Sequence, residues 1–128
     1  MDWKDLTRDE KRAIIKSAIQ IANADGRINY SENEFLLFIV MRMGGDQQLI
    51  EDANSMWKLN MIRVLRGMSN EKKEVVRSVW LETMNRANGG VLTGNTTVDR
   101  NSPEGCEVYK LGKECGIDVS GTYFVGGF

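Results

Sequence analysis

Carboxylates are the side chains in this sequence whose spacing most suggests chemistry. Asp25 and Glu32 flank a short segment that contains Gly26, and Glu34 follows two residues later. Carboxylate oxygens are the ligands that Ca²⁺ and Mg²⁺ prefer, so Asp25, Glu32 and Glu34 are candidate ligands for a divalent cation, the one cofactor that the sequence suggests. The alternative is that these carboxylates form a solvent-exposed acidic face that binds no ion, which is more common for clustered charges.

The same segment has the spacing of the second half of a calcium-binding EF-hand loop. Counting back, the first ligand position falls on Ile21, whose side chain cannot supply the required carboxylate. We therefore interpret the segment as a turn between two helices. In this interpretation Gly26 adopts a left-handed conformation and Ile28 packs into the core, while Asp25 stabilises the turn and Glu32 complements the dipole of the next helix.

The histidine and cysteine content of the sequence restricts the kinds of catalysis that are possible. The 128 residues include no histidine, which removes the commonest general base and most types of zinc site. Cys106 and Cys115 are too far apart on one helix to form a disulfide, and both are predicted to be reduced core residues. Since no nucleophile, base and orienting group occur together, we expect no catalytic residues and no enzymatic activity.

Charge and hydropathy limit the classes of partner. The chain has 17 basic and 18 acidic residues, so nucleic acid is not an expected partner. The longest apolar run, Phe35 to Met41, is far shorter than the roughly 20 residues that a membrane helix needs. The amino-terminal residues lack the apolar core of a signal peptide. We expect a cytoplasmic protein that is not a membrane protein and that binds other proteins.

The hydrophobic pattern predicts a single all-α domain over residues 1–128. Apolar residues recur at helical spacing through a core of about residues 8–118, and no pair of strands is predicted. The very apolar second helix, around Phe35 to Met41, is expected at the centre of the domain. Residues 88–102 are expected to form a surface loop, because they are rich in Gly, Asn and Thr and lack periodicity.

Capping signals mark where the helices begin. Thr7 with Glu10 and Ser31 with Glu34 have the spacing of a capping box, and Ser102 precedes a proline that suits a first helical turn.

Residues 119–128, which we call the tail, are unusually rich in large apolar side chains. The tail contains Tyr123, Phe124, Val125 and Phe128. Two interpretations are open: the tail covers the core of its own domain, or it contacts a neighbouring chain.

Two segments of the sequence are similar to each other. Ile21–Ile28 and Asn85–Leu92 both end a helix with an Ala-(Asp/Asn)-Gly turn, and an acidic helix start follows each of them. Such a repeat is typical of duplicated helical hairpins.

Three features of the sequence occur together: the pattern Ala24-Asp25-Gly26-x-Ile28-x-x-x-Glu32, an apolar helix ended by glycines, and a second Ala-x-Gly turn. Together they resemble the TerB-like family, small helical proteins linked to bacterial tellurite-resistance operons. The resemblance covers about residues 8–118. It implies an all-α fold of two related helical hairpins, with acidic residues near the turns that meet a divalent cation. Asn88 stands where the family usually has aspartate, and an insertion at residues 94–101 separates this turn from its following acid.

The resemblance also implies a function. It suggests a binding or scaffold domain of the bacterial stress response to tellurite or metals, with protein partners in a membrane-linked metal-resistance complex. The alternative is a protein-binding adaptor in which the acidic turn is purely structural and the carboxyl-terminal tail is the contact element.

Overall fold

The computed structural model describes residues 1–87, 94–126 and 128, and most of these residues are helical. The mainly helical fold predicted from the sequence is therefore confirmed. After a short 3₁₀ turn at Trp3–Asp5, the elements are α1 (Arg8–Ala22), α2 (Tyr30–Arg42), α3 (Gln47–Ser55), α4 (Lys58–Arg66), α5 (Asn70–Ala87), β1 (Gly94–Thr97), α6 (Pro103–Cys115) and β2 (Thr122–Val125). No helix in these described ranges is both long and apolar enough to cross a membrane.

Helix α1 is the centre of the domain and packs against all five other helices of the described structure. Its Ile14, Ile15, Ala18 and Ile21 are completely buried. The prediction that the most apolar helix, α2, is central was wrong. Helix α2 packs mainly against α1 and α5, and it leaves part of its apolar surface exposed. Small residues such as Ala18 let neighbouring helices approach α1 closely, whereas the bulky side chains of α2 need only one buried face.

Two of the three predicted helix starts, at Thr7 and at Ser102, are confirmed. Thr7 and Glu10 form the predicted reciprocal capping box at the start of α1. Helix α2 instead begins after Asn29: the Asn29 side chain accepts a hydrogen bond from Glu32 N at 2.8 Å, and Asn29 N donates to Glu32 Oε1 at 3.0 Å. The predicted box of Ser31 with Glu34 is therefore wrong, because an equally spaced pair two residues earlier caps the helix.

A small antiparallel sheet contradicts the expectation that the chain has no strand pair. Strands β1 and β2 pair in the register Gly94↔Val125 to Thr97↔Thr122. Strand β1 lies within the segment that was predicted to be a loop. Four-residue strands are too short to show a period-two pattern, so this pairing between distant segments is hard to predict.

The carboxyl-terminal tail packs on its own domain, which confirms the first of the two interpretations. Val125 is buried, and the Phe128 ring makes edge-on contacts with Trp3 and Phe35 at centroid distances of 6.1 and 5.2 Å. Phe124 is exposed on the other side of β2.

The second turn of the sequence repeat falls on residues 88–93, which lie outside the described residues. The arrangement of two related hairpins therefore stays a prediction.

The first turn of the repeat depends on Gly26, whose φ is +92° as the sequence predicted. A Cβ atom added there would meet nothing within 4 Å, so a substitution acts through backbone strain alone. We expect Gly26→Val to lower the free energy of unfolding by about 1–3 kcal/mol, because β-branched residues are strained at positive φ. Denaturant titration measures this, and Gly26→Asn should lose less, since Asn tolerates such φ values better. Equal midpoints for wild type and both variants would contradict the prediction.

Candidate functional site

The three predicted cation ligands lie in different environments. Asp25 is exposed in the turn after α1, where its carboxylate accepts a hydrogen bond from Arg27 N at 3.2 Å. Glu34 is exposed on the outer side of α2. Glu32 is only 1% exposed. The segment from Asp25 to Glu34 therefore contains two exposed carboxylates and one that is buried. The prediction that Ile28 packs into the core is wrong, because its side chain is exposed.

Glu32 is buried without full compensation of its charge. Its Oε1 accepts the hydrogen bond from Asn29 N, whereas its Oε2 has no hydrogen-bond partner among the described residues. Burial raises the pKa of the Glu32 carboxyl above its ordinary value; the Asn29 hydrogen bond opposes this, and the charges of Glu104 and Asp25 raise it further. The site therefore favours a bound positive charge or a proton at Glu32.

Glu104 is a second buried acid that acts on this site. It lies in the first turn of α6, directly after Pro103, and is 3% exposed. The sequence indicated Glu104 as a helix-start residue but not as a site residue. The signal that could have assigned it is the internal repeat, because Glu32 and Glu104 each lie in the first turn of the helix after a repeated Ala-x-Gly turn.

A third buried acid, Glu82 of α5, is paired with a cation from its own helix. Arg86 Nε donates to Glu82 Oε2 at 3.1 Å, while Glu82 Oε1 has no partner in the described ranges. Burial raises the pKa of Glu82, and Arg86 opposes this shift. The i,i+4 spacing was visible in the sequence, but nothing there indicated that the pair is buried.

Arg86 also connects α5 to the beginning of α2. It donates from Nη1 to the Ser31 carbonyl oxygen at 3.2 Å, and its guanidinium lies 4.9 Å from the centre of the Phe35 ring. Asn29 Nδ2 in turn donates to the Arg86 carbonyl oxygen at 3.4 Å. The start of α2, and with it Glu32, is thereby held against α5.

This arrangement limits the kind of ion that could bind. Within residues 1–87, 94–126 and 128, no three acidic or cysteine side chains are grouped closely enough to hold a metal ion by themselves. An ion at Glu32 would therefore need backbone oxygens or water as further ligands. Mg²⁺ is commonly held by one or two carboxylates and several waters, and Ca²⁺ also accepts carbonyl and water oxygens.

The two cysteines differ in exposure. Cys115 is buried, and burial raises the pKa of its thiol to about 11, so it is unreactive at neutral pH. Cys106 is exposed on the opposite side of α6, and its Sγ donates to the Arg100 carbonyl oxygen at 2.8 Å. The prediction that both are core residues is therefore right for Cys115 and wrong for Cys106.

Comparison with known proteins supports the fold. Neither a protein-family model nor a curated protein matches the chain. A crystal structure of a protein of unknown function from Porphyromonas gingivalis W83 is similar, with a TM-score of 0.68 and 23% sequence identity over 88% of this chain and 86% of that one. At this identity the likeness establishes a shared fold and nothing about activity.

Proposed function

We propose that the chain is a TerB-like binding or scaffold domain of the bacterial stress response to tellurite or metals, and that a divalent cation at Glu32 controls its stability. It would act in the cytoplasm without catalytic activity of its own, through protein partners such as a membrane-linked metal-resistance complex. The observation that carries the cation proposal is the buried Glu32 Oε2, which lacks a hydrogen-bond partner in the described structure while the charge of Glu104 acts on the same carboxyl group.

The energetics favour a ligand at this position. A buried carboxylate without a full set of partners is costly, and a neighbouring carboxylate adds to the cost. A bound Ca²⁺ or Mg²⁺ would relieve both effects. Glu32 is the one carboxylate that we assign as a ligand: the charges of Asp25 and Glu104 act on it and would attract a cation, but among the described residues these acids are not grouped closely enough to bind one ion together, and Glu34 is exposed. With so few protein ligands, the affinity should be micromolar to millimolar.

Titration with Ca²⁺ and Mg²⁺ tests the proposal. We expect the melting temperature of the wild type to rise with ion concentration, as for any ligand that binds only the folded state. Glu32→Gln should abolish the rise, because it removes the charge while keeping an acceptor for Asn29 N. Glu34→Gln is the matched control and should behave like the wild type. No heat of binding and no shift in melting at millimolar ion would overturn the cation proposal.

The pH dependence of stability supplies a separate prediction that needs no metal. The pKa of the Glu32 carboxyl is raised in the folded state, so the folded protein favours the protonated form. The stability that this residue contributes is therefore fully present below the pKa of the unfolded chain, and it is lost as the pH rises through the pKa of the folded state. In the absence of divalent ions, the stability of the wild type relative to Glu32→Gln should therefore fall as the pH rises above about 4, the ordinary pKa of a glutamate in the unfolded chain. Denaturant titrations across this range measure the difference. Parallel pH profiles for the wild type and Glu32→Gln would show that ionisation of Glu32 does not destabilise the folded protein.

The adaptor alternative has one structural observation in its favour, although not the one that the sequence suggested. The tail packs largely on its own domain, but α2 presents large apolar side chains outward, with Tyr30 82% and Met41 73% exposed. If the protein is an adaptor, its contact surface is therefore better placed on α2 than on the tail.

A further inference from the structure

Tyr109 of α6 is contacted by two cationic side chains. The Arg100 guanidinium lies 3.9 Å from the centre of the Tyr109 ring, and the Lys113 ammonium group lies 4.7 Å from it. Lys113 follows Tyr109 by four residues, so the two share one face of α6. Arg100 precedes α6, and its carbonyl oxygen accepts a hydrogen bond from Cys106 Sγ, which holds its backbone against the helix. Two side chains of the same charge are therefore held beside one aromatic ring.

These two positive charges have no acidic partner in the described part of the chain. Neither Arg100 nor Lys113 forms an ion pair there, and both residues are exposed. Because both groups lie so close to the Tyr109 ring centre, they are at most about 9 Å apart. Their fields reinforce each other beside the ring, and this place attracts an anion.

The Tyr109 hydroxyl adds a third hydrogen-bonding group. A hydrogen bond from Lys113 and the nearby charge of Arg100 hold the pKa of Tyr109 below its ordinary value. A phenol oxygen that accepts a hydrogen bond still donates its own proton to a further acceptor. A guanidinium, an ammonium and a hydroxyl group thus converge, and phosphate oxygens accept hydrogen bonds from all three kinds of donor.

An open groove of about 420 Å³ adjoins these side chains, near the lower end of the size range of small-molecule sites. One wall is the face of α6 that carries Tyr109 and Lys113, and the other wall is the segment 117–120. The buried Val119 belongs to the second wall, together with the polar residues Asp118 and Ser120. The groove therefore combines apolar surface with one cationic and one anionic group.

Asp118 determines how a ligand would be oriented. Its carboxylate accepts hydrogen bonds from Ser120 Oγ at 2.7 Å and from Ser120 N at 2.9 Å, and these contacts lower the pKa of Asp118. Asp118 is therefore ionised at neutral pH and repels a phosphate group. An anionic group is expected at Lys113, whereas an amine or hydroxyl group of the same ligand is expected at Asp118.

We propose that Arg100, Tyr109 and Lys113 bind the phosphate group of a small phosphorylated molecule whose amine or hydroxyl group contacts Asp118. This goes beyond the proposed cation response and does not depend on it, because none of these residues belongs to the site at Glu32. A phosphorylated side chain of a protein has the same phosphate chemistry. The small groove and Asp118 favour a free molecule, since a phosphoserine within a peptide has no free amine.

Titration calorimetry of the whole chain with phosphoethanolamine, at constant ionic strength, tests the phosphate contacts. We expect a dissociation constant on the order of 1 mM. Lys113→Gln and Arg100→Gln should each weaken binding about tenfold, because each removes a charge-assisted hydrogen bond. Lys110→Gln is the matched control: it removes the same charge from an exposed position of α6 whose ammonium group lies 4.0 Å from Glu107, and it should leave the affinity unchanged.

Comparison with ethyl phosphate, which lacks the amine, tests the contact with Asp118. The wild type should bind phosphoethanolamine several times more tightly than ethyl phosphate, about fivefold for one exposed charged contact. Asp118→Asn should remove this preference, because the amide still accepts the Ser120 hydrogen bonds but carries no charge. A short phosphoserine peptide, as the third probe, should bind more weakly than phosphoethanolamine.

The ionisation of Tyr109 gives a second, local readout. The difference between the tyrosinate absorbance of the wild type and that of Tyr109→Phe follows this residue alone. Saturating phosphoethanolamine should raise the pKa of Tyr109, because the bound phosphate counteracts the two cations that lower it. Thermal melting verifies that each variant is folded.

Four results would contradict the proposal. The first is no heat of binding and no change in the pKa of Tyr109 at about 20 mM phosphoethanolamine, well above the expected dissociation constant. The second is equal weakening by Lys110→Gln and Lys113→Gln, which would indicate unspecific attraction. The third is equal affinity of the wild type for phosphoethanolamine and ethyl phosphate. The fourth is tighter binding of the phosphoserine peptide, which would assign the phosphate to a protein partner instead.

Discussion

Replacing Trp80 with alanine is expected to lower the free energy of unfolding by about 3–5 kcal/mol, among the largest effects of any single substitution in this chain. Trp80 of α5 is completely buried in the cluster that surrounds α1. Its indole Nε1 donates to the Ser17 hydroxyl of α1 at 2.8 Å. The substitution therefore removes a large apolar volume and the polar contact that links the two longest helices. Urea denaturation followed by circular dichroism measures the loss.

Two further variants separate the contributions of Trp80. Trp80→Phe keeps most of the buried volume but loses the hydrogen bond, and we expect it to cost about 1–2 kcal/mol. The Ser17 hydroxyl still donates to the Ile14 carbonyl oxygen at 2.9 Å, which limits the penalty. Trp57→Ala is the matched control, because Trp57 is 78% exposed and its removal should change stability little. If Trp80→Ala cost no more than Trp57→Ala, the packing of α5 on α1 described above would be wrong.

The second large effect is expected from the smallest substitution, Gly105→Ala in the first turn of α6. A Cβ atom at this position would overlap the Asp99 carbonyl group, whose carbon lies only 2.6 Å from the added atom. The Asp99 carbonyl oxygen cannot move freely, since it accepts hydrogen bonds from Ser102 N at 3.2 Å and from Ser102 Oγ at 3.0 Å. We expect a loss of about 3 kcal/mol, at the upper end of the range for overpacking, because the obstructing atoms belong to the backbone.

A glycine in an open environment is the control for this prediction. At Gly67, which follows α4 with a φ of −81°, the nearest atom to an added Cβ lies at an ordinary 3.5 Å. Gly67→Ala should therefore be neutral or slightly stabilising, since alanine restricts the unfolded chain. Differential scanning calorimetry of both variants makes the comparison. Similar melting temperatures for Gly105→Ala and Gly67→Ala would show that the connection from β1 to α6 is looser than described.

The sequence by itself determined the features that depend on neighbouring residues. Thr7 with Glu10, Gly26 and Ser102 before Pro103 could be assigned in advance, because capping and positive φ require particular residue types at particular short spacings. The helical class followed in the same way from apolar residues at helical spacing. Even here an ambiguity remained at α2, where two capping pairs of equal spacing competed and only the folded chain shows that Asn29 is the cap.

Only the tertiary structure decided which surfaces are buried. Glu32 and Glu34 have the same chemistry and lie two residues apart, yet one is buried beside the charge of Glu104 and the other is in solvent. The periodicity of α2 could not show that the helix lies at the edge of the domain, nor could the composition of β1 show that it pairs with β2. Burial and strand pairing depend on segments far apart in the chain, and the free energy of bringing those segments together is not contained in any local pattern.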